Sequence, residues 1–145
     1  MSLDGAYDAN NIFAKIVRGE MPAAKVFEDA DTLAFMDVFP QTRGHALVIH
    51  KSARARNLLD IEAAPLQTLI LTVQRVARAV RAVLAPDGIL VSQFNGAPAG
   101  QTIYHLHFHI IPRWEGEALG RHAGGVMADP AELAELARRI AERMA

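Results

Sequence analysis

Apolar positions recur with a helical period in two long stretches of the chain. From Leu66 to Leu84 they follow the i, i+3, i+4, i+7 spacing of an amphipathic helix, with Pro65 in its first turn. The run Pro86-Asp87-Gly88 predicts the end of that helix. The second stretch predicts a C-terminal helix over residues 129–144, capped by Asp129. Its apolar stripe consists of Leu133, Leu136, Ile140 and Met144.

Shorter apolar stretches with turn residues between them predict β-strands. Their bounds are residues 25–28, 32–37, 45–50, 89–95 and 105–111. A short helix is expected after Asn10 and Asn11, which are suitable N-cap residues. The sequence therefore predicts an α+β fold, with an antiparallel sheet of about five strands, one long helix and a C-terminal helix.

The composition is that of a globular protein. Of the 145 residues, 51% are hydrophobic and 21% are charged, so a single domain over residues 1–145 is expected. The formal net charge of −1 gives no reason to expect binding to nucleic acid or to a membrane surface. The absence of cysteine excludes disulfides and thiolate metal sites. No secretory signal or bilayer-spanning run is visible, so a cytoplasmic location is expected.

Three histidines, His105, His107 and His109, alternate with apolar residues in the last predicted strand. Because successive side chains of a strand point to opposite faces, the three imidazoles are expected in a row on one face. Such a row is unfavourable unless a ligand uses it, and the candidates are an anionic phosphate group or a metal ion. For a metal, Glu115 or His45 could complete the ligand set.

A loop with two glycines, from Asn95 to Thr102, leads into the histidine row. Glycine lets backbone N–H groups approach a ligand closely, and the side chains of Asn95, Gln101 and Thr102 add hydrogen-bonding groups. The loop lacks the Lys-Ser/Thr end of a P-loop. Its position before the histidines indicates a phosphate-binding loop.

With these blocks in this order, the chain resembles the histidine triad (HIT) superfamily, and within it the Hint-like hydrolases of bacteria. The resemblance covers the core of the domain, about residues 10–113, and the rest is a C-terminal extension. The blocks are Ile12-Phe13-Ala14-Lys15-Ile16, Leu33-Ala34-Phe35-Met36-Asp37, Gly44-His45-Ala46-Leu47-Val48-Ile49, and Asn95 through Gly100-Gln101-Thr102 to His105-Leu106-His107-Phe108-His109.

The resemblance implies a catalytic role for four histidines. His107 matches the nucleophile, which attacks the α-phosphorus of a nucleotide and forms a covalent nucleotidyl-histidine. His109 matches a donor to a phosphate oxygen, and His105 and His45 match residues that orient the others. Thr102 and the backbone of Gly100 and Gln101 are expected to hold the phosphate or the leaving group.

The same resemblance implies a nucleotide-binding surface. Asp37 matches a residue that accepts hydrogen bonds from the ribose, and Asn95 is expected to reach the nucleotide. The apolar slot for a purine is expected from Ile12, Phe13, Ile16, Phe35 and Val38. Hint-like relatives pair through the long helix and a sheet edge, so a homodimer is expected.

The chain departs from its relatives at a structural zinc site. Many bacterial members place zinc ligands where this chain has Asn11, Ala14 and Ala53, so that zinc is expected to be absent and no metal or cofactor is needed. His50 stands where a proline is usual, and the sequence assigns it no role. His122, among glycines, is expected to be an exposed loop residue.

The function expected from the resemblance is hydrolysis of purine nucleoside phosphoramidates of the AMP-amine type. Having His109, where the nucleotidyltransferase branch usually has Gln, favours hydrolysis over transfer. The alternatives are a dinucleoside polyphosphate hydrolase, a nucleotide-binding protein with incidental hydrolysis, and a metal-dependent hydrolase.

Overall fold

Five antiparallel strands form one sheet in the computed structural model, which describes residues 2–122 and 125–144. They are β1 (Lys25–Glu28), β2 (Thr32–Met36), β3 (Ala46–His50), β4 (Gly88–Ser92) and β5 (His107–Arg113). Their order across the sheet is β1-β2-β3-β5-β4, so the strand with the histidines lies between β3 and the edge strand β4. The predicted α+β fold with an antiparallel sheet of about five strands is confirmed.

The helices are α1 (Ile12–Val17), α2 (Ala63–Leu84) and α3 (Pro130–Ala141), and a 3₁₀ turn spans Ala97–Ala99. The side chain of Asn11 caps α1 by accepting a hydrogen bond from the Ala14 N–H at 2.9 Å. Asp129 caps α3 in the same way, with Pro130 as its first residue. Within the described ranges, no helix combines the length and apolar character needed to cross a membrane.

The bounds of several elements differ from those predicted, most clearly those of β5, β4 and the last helix. β5 begins at His107 and not at His105, because the Leu106 N–H bonds to the Ala55 carbonyl and not to β3. β4 ends at Ser92, since the Gln93 side chain bonds to its own loop at Phe94 and Asn95. The helix predicted over 129–144 ends at Ala141, where tighter i→i+3 hydrogen bonds replace the helical ones.

The sheet separates two apolar clusters. On one face, alternate strand residues pack against α2 and α3, and these include Ala34, Met36, Ala46, Val48 and Ile110. On the other face, Leu33, Phe35, Leu47 and Ile49 pack against Phe13 and Ile16 of α1. Leu47 pairs with His109 and Ile49 with His107 across the β3–β5 ladder. His107 and His109 therefore lie on the α1 face of the sheet.

Candidate active site

A cavity of about 510 Å³ opens on the α1 face of the sheet. One end is apolar and contains all five residues predicted to form the purine slot, namely Ile12, Phe13, Ile16, Phe35 and Val38. His107, His109 and Thr102 line the other part, together with Asp37. The fold thus brings an apolar slot and imidazole nitrogens into one concave site, the usual composition of a small-molecule site.

The ring of His107 is held with one nitrogen protonated and the other unprotonated. Its Nδ1 lies 2.7 Å from the carbonyl oxygen of His105, and a carbonyl only accepts, so Nδ1 donates. Burial lowers the pKa of His107 to about 4, against the ordinary value of about 6.5, so the ring is neutral at neutral pH. Nε2 therefore carries a lone pair, which is what a nucleophilic imidazole requires.

His109 receives its tautomer from a chain of hydrogen bonds that starts at the backbone. The Gln41 N–H donates to Nδ1 of His45 at 3.0 Å, which leaves the proton of His45 on Nε2. That Nε2 lies 2.9 Å from Nδ1 of His109 and donates to it. The proton of His109 is consequently on Nε2, a buried atom that has no hydrogen-bond partner within residues 2–122 and 125–144. A buried N–H without a protein partner is suited to donate to an oxygen of a ligand.

The rings of His45 and His109 are both neutral. Burial, with the neighbouring imidazoles as a smaller cause, lowers the pKa of His45 to about 4 and that of His109 to about 2. His45 lies behind His109 and does not line the cavity. The arrangement gives the cavity a neutral donor at His109 beside an unprotonated nitrogen at His107, with ring centroids 5.0 Å apart.

His105 precedes β5, which begins at His107, and its ring also lies near α1, with a centroid distance of 6.3 Å to Phe13. Its Nε2 donates to the His50 carbonyl at 3.0 Å, and its Nδ1 accepts from the Tyr7 hydroxyl at 2.5 Å. The ring is buried but is not part of the cavity wall. Sequence analysis missed Tyr7, because no motif surrounds it.

His50, which had no assigned role, supports a turn behind His105. Its Nδ1 accepts the backbone N–H groups of Ser52 and Ala53 at 3.2 and 3.0 Å. A side chain that accepts from residues two and three positions later stabilises a turn, as Asx side chains do. The same residue accepts from His105 through its carbonyl, so His50 positions the first histidine of the motif.

The side chains of Asn95 and Gln101 hold the loop that precedes the histidines. The Gln101 side chain accepts from the Gly96 N–H at 2.8 Å and donates to the carbonyls of Arg56 and Ile103. The Asn95 side chain accepts from the Leu58 N–H at 2.9 Å. Neither residue lines the cavity. Both glycines of the loop, at 96 and 100, have positive φ (87° and 107°), a conformation that side chains disfavour.

Asp37 lies at the end of β2, where its Oδ1 accepts from the Phe39 N–H at 2.8 Å and its Oδ2 is 3.5 Å from Nε2 of His45. Burial raises the pKa of this carboxyl above its ordinary value. Asp37, His45 and His109 offer ligand atoms within 4.8 Å of one another and are the residues that could hold a metal ion. A metal there would have to break the hydrogen bond between the two imidazoles. Glu115 is exposed and outside this set.

This chain lacks the ligands for the structural zinc that many bacterial members bind. The Asn11 side chain is used in capping α1, and Ala14 and Ala53 carry no ligand atom. These two alanines and Tyr7 line a separate cavity of about 230 Å³. The Tyr7 hydroxyl is the group that bonds to His105 beside this cavity.

His122 is a cavity residue that sequence analysis placed at the exposed surface, and that expectation is wrong. Its Nε2 donates to the Gly100 carbonyl at 2.8 Å, and its ring packs on Phe94 and His109 with centroid distances of 4.8 and 5.7 Å. The ring is half-buried and lines the same cavity as His107. No local signal marks it, because it lies in a glycine-rich stretch far from the motif in sequence.

The family model of the HIT domain matches residues 18–116. The chain belongs to the HIT family. The "Protein hit" of Bacillus subtilis is 38% identical over 141 residues, covering 94% of this chain and 95% of that relative. A Hit-like protein of Bartonella henselae has a crystal structure with a TM-score of 0.87 and 48% identity, covering 95% of this chain and 99% of that one.

Two of the similar HIT relatives are named for an activity. An adenylylsulfatase of Arabidopsis thaliana is 33% identical over 134 residues, covering 88% of this chain and 68% of that relative. The adenosine 5'-monophosphoramidase of Schizosaccharomyces pombe is 38% identical over 136 residues, covering 92% of this chain and 97% of the relative. The identification of the chain as a HIT-family member, made from the order of its motif blocks, is therefore confirmed.

Proposed function

We propose that this HIT-family protein hydrolyses purine nucleoside phosphoramidates, with AMP joined to an amine as the substrate class. The observation that carries the proposal is the state of His107, whose Nδ1 is bound to a backbone carbonyl and whose Nε2 keeps its lone pair in a cavity wall. The similarity to the monophosphoramidase of S. pombe supports this substrate class.

The nucleoside would occupy the apolar end of the cavity. Phe13 packs edge-on against Phe35 at 5.4 Å and against His107 at 4.9 Å, so the slot ends directly beside the nucleophile. We propose that Asp37 accepts hydrogen bonds from the ribose hydroxyls, because it is the carboxyl in the cavity wall. Thr102 and the backbone at Gly100 and Gln101 are proposed to hold the phosphate, with the side chains of Asn95 and Gln101 fixing that loop.

The reaction would proceed in two displacements at phosphorus. In the first, the His107 Nε2 lone pair bonds to the α-phosphorus and the phosphorus–nitrogen bond to the amine breaks. The electron pair of that bond leaves with the amine, which takes up a proton from solvent. In the second, a water oxygen attacks phosphorus, the bond to Nε2 breaks and its electron pair returns to Nε2, and the attacking water releases a proton to solvent. The Nε2–H of His109 would donate to a phosphate oxygen in both steps, and His45 would hold that donor in place.

We also propose that residues 1–145 form one HIT domain that works as a cytoplasmic homodimer without a cofactor. Leu90 and Val91 on the edge strand β4 are 40% and 45% exposed, and Ile70 and Leu71 on α2 are exposed as well. An unpaired strand edge with exposed apolar side chains is suited to contact with a second copy of the chain. Sedimentation analysis of the protein and of a Val91→Lys variant tests this, with a monomeric wild type as the contradicting result.

The decisive experiment is mass spectrometry of protein quenched rapidly after mixing with adenosine 5'-phosphoramidate. We expect one adenylyl group on the peptide that contains His107. The His107→Ala variant should lose the adduct and turnover while still binding AMP in calorimetry, since the slot and Asp37 remain. Near-full turnover by that variant would contradict the assignment of the nucleophile.

Binding, chelation and substrate-comparison assays separate the alternative functions. Saturable AMP binding without an adduct or cleavage would indicate a nucleotide-binding protein. Loss of activity with a chelator and its recovery with added metal would indicate a metal-dependent hydrolase that uses Asp37, His45 and His109, the residues whose ligand atoms lie within 4.8 Å. Preference for a dinucleoside polyphosphate over the phosphoramidate would favour that substrate class.

A further inference from the structure

We propose that Arg56 is a positioning residue that holds Thr102 where it contacts the phosphate of the substrate. This inference rests on the proposed function, in which Thr102 helps to bind the phosphate. Arg56 lies in the segment between β3 and α2, outside the motif blocks, and it does not line the cavity. Its effect on the substrate therefore passes through the loop that precedes the histidines.

Arg56 contacts this loop on both sides of Thr102. Before Thr102, the carbonyl oxygen of Arg56 accepts a hydrogen bond from Nε2 of Gln101 at 2.7 Å. After Thr102, the guanidinium group of Arg56 lies over the ring of Tyr104, with its Cζ 4.6 Å from the ring centroid. A planar, weakly hydrated guanidinium is well suited to stacking on an aromatic ring. Thr102 thus lies between two residues that Arg56 holds.

The direction of the Thr102 side chain depends on these neighbours. The side chain is exposed and lines the cavity, so its hydroxyl is placed by the backbone that carries it. Gln101 closes the loop before it, because its Oε1 accepts the Gly96 N–H at 2.8 Å and its own N–H donates to the Gly96 carbonyl at 3.1 Å. A backbone shift of about 1 Å on either side of Thr102 is enough to weaken a contact with a bound phosphate.

The guanidinium group of Arg56 is fixed from its far side by the N-terminal segment. Its Nη1 donates to the Ala6 carbonyl at 3.3 Å, and its Nη2 donates to the Ser2 carbonyl at 3.2 Å. A Cβ at Gly5 would lie 3.4 Å from Cζ of Arg56, so the backbone of this segment lies directly on the guanidinium. Because the donors of a guanidinium form a rigid fork, these two bonds set the plane that stacks on Tyr104.

The charge of Arg56 and its planar shape have different effects on binding. A positive charge attracts the anionic phosphate at a distance, whereas a positioning residue acts through the geometry of its planar group. Arg56→Lys keeps the charge and removes the planar group. Arg54→Ala is the matched control, since it removes an equal charge two residues away, from an exposed side chain that packs on the Tyr7 ring.

The test is calorimetric titration with AMP and with adenosine, which lacks only the phosphate. For Arg56→Ala and Arg56→Lys we expect the Kd for AMP to rise about tenfold, the size of one lost hydrogen bond to a charged group. The Kd for adenosine should change by about twofold or less. Arg54→Ala should leave both Kd values within about twofold of the wild type at physiological ionic strength. The lysine variant keeps the test decisive if the alanine variant does not fold.

A double-mutant cycle with Thr102→Val identifies the residue through which Arg56 acts. Thr102→Val removes the hydroxyl and should by itself raise the Kd for AMP about tenfold. If Arg56 acts through Thr102, adding Arg56→Lys to this variant should raise that Kd by only about twofold or less. A further rise of about tenfold would mean that the two residues act independently, and the proposal would be overturned.

The outcomes separate this inference from the proposed function. If the wild-type protein forms no nucleotidyl-histidine, the hydrolase proposal fails. If the wild type forms it and Arg56→Lys binds AMP like the wild type, or weakens AMP and adenosine alike, the assignment of Arg56 is overturned while the hydrolase proposal stands. A loss of affinity for AMP alone, which disappears in the Thr102→Val background, supports Arg56 as the residue that positions Thr102.

Discussion

The first and last histidines of the motif, His105 and His109, are each contacted by a residue from a terminal segment, and the two contacts differ in kind. Tyr7 donates to Nδ1 of His105, whose other nitrogen is also bonded, so every polar atom of that ring is satisfied. His122 contacts His109 through its ring only, and the Nε2 of His109 lacks a partner within the described ranges.

This difference shows that equal spacing in the sequence does not give equal roles. A ring with both nitrogens bonded to protein is a structural element, whereas a buried N–H without a protein partner is prepared for a ligand. The difference between His105 and His109 follows from the start of β5, since His105 lies before the first residue of the strand, His107.

The sharpest test of the comparison is to truncate both rings in turn. His109→Ala removes the donor to the phosphate and should lower kcat about 10²–10³-fold. It also removes the acceptor of the buried His45 Nε2–H, which should cost about 1–3 kcal/mol of stability. His105→Ala leaves its own backbone carbonyl in place for His107, so kcat should fall about tenfold or less, while the free energy of unfolding should fall by about 2–3 kcal/mol. Steady-state kinetics and urea unfolding of both variants check this. An equal fall in kcat in the two variants would contradict different roles for His105 and His109.

The pH dependence of stability measures the burial of the histidine rings. Burial lowers the pKa of His45, His105 and His107 to about 4, and that of His109 to about 2. Below the unfolded pKa of about 6.5 the unfolded chain binds more protons than the folded one, so stability present above that pH is lost as the pH falls. We expect the unfolding free energy to decrease between about pH 7 and pH 5, by at most about 1.4 kcal/mol per pH unit for each histidine.

Urea titrations at several pH values check this expectation. The raised pKa of Asp37 acts in the opposite direction, since it favours the folded state at low pH, but it is one group against five histidines, because burial lowers the pKa of His50 as well. A His109→Ala variant should show a shallower decrease than the wild type, because one of the buried imidazoles is gone. A stability that stays constant down to pH 5 would contradict burial of neutral imidazoles.

Replacement of Asp37 tests the proposed ribose contact, and its expected effect on AMP binding is smaller. Asp37→Ala should raise the Kd for AMP about tenfold, the size of a hydrogen bond to a charged group. Asp37→Asn keeps an acceptor for the Phe39 N–H and serves as the control for local folding. Calorimetric titration with AMP and with 2'-deoxy-AMP measures the contribution, and an affinity that rises in Asp37→Ala would contradict a ribose contact.

Tyr7→Phe gives the smallest expected effect and completes the comparison. The change removes the hydroxyl that donates to Nδ1 of His105 and leaves that atom without its protein partner, which should cost about 1–2 kcal/mol of stability. Turnover should stay within about twofold, because His105 does not line the cavity. A melting curve and an activity assay suffice, and a large loss of turnover with normal stability would assign His105 to catalysis.

Strand alternation predicted that His107 and His109 lie on one face of the sheet, and the resemblance to the HIT family pointed to Phe35 and Asp37, which line the same cavity. The contributions of Tyr7, Gln41 and His122 were not predictable, because each comes from a segment without periodicity, and its contact depends on how distant loops meet. The hydrogen bonds that the side chains of Asn95 and Gln101 make to the backbone were not predictable for a related reason, since a polar side chain in a loop can bond to any backbone group that the fold brings near it.

The tautomers of His45 and His109 originate in the main-chain N–H of Gln41, and not in a side chain. Every amino acid except proline supplies that group, so the direction of the proton chain survives almost any replacement at position 41. A backbone group therefore determines which nitrogen of His45 and of His109 carries the proton, and few substitutions can remove that group.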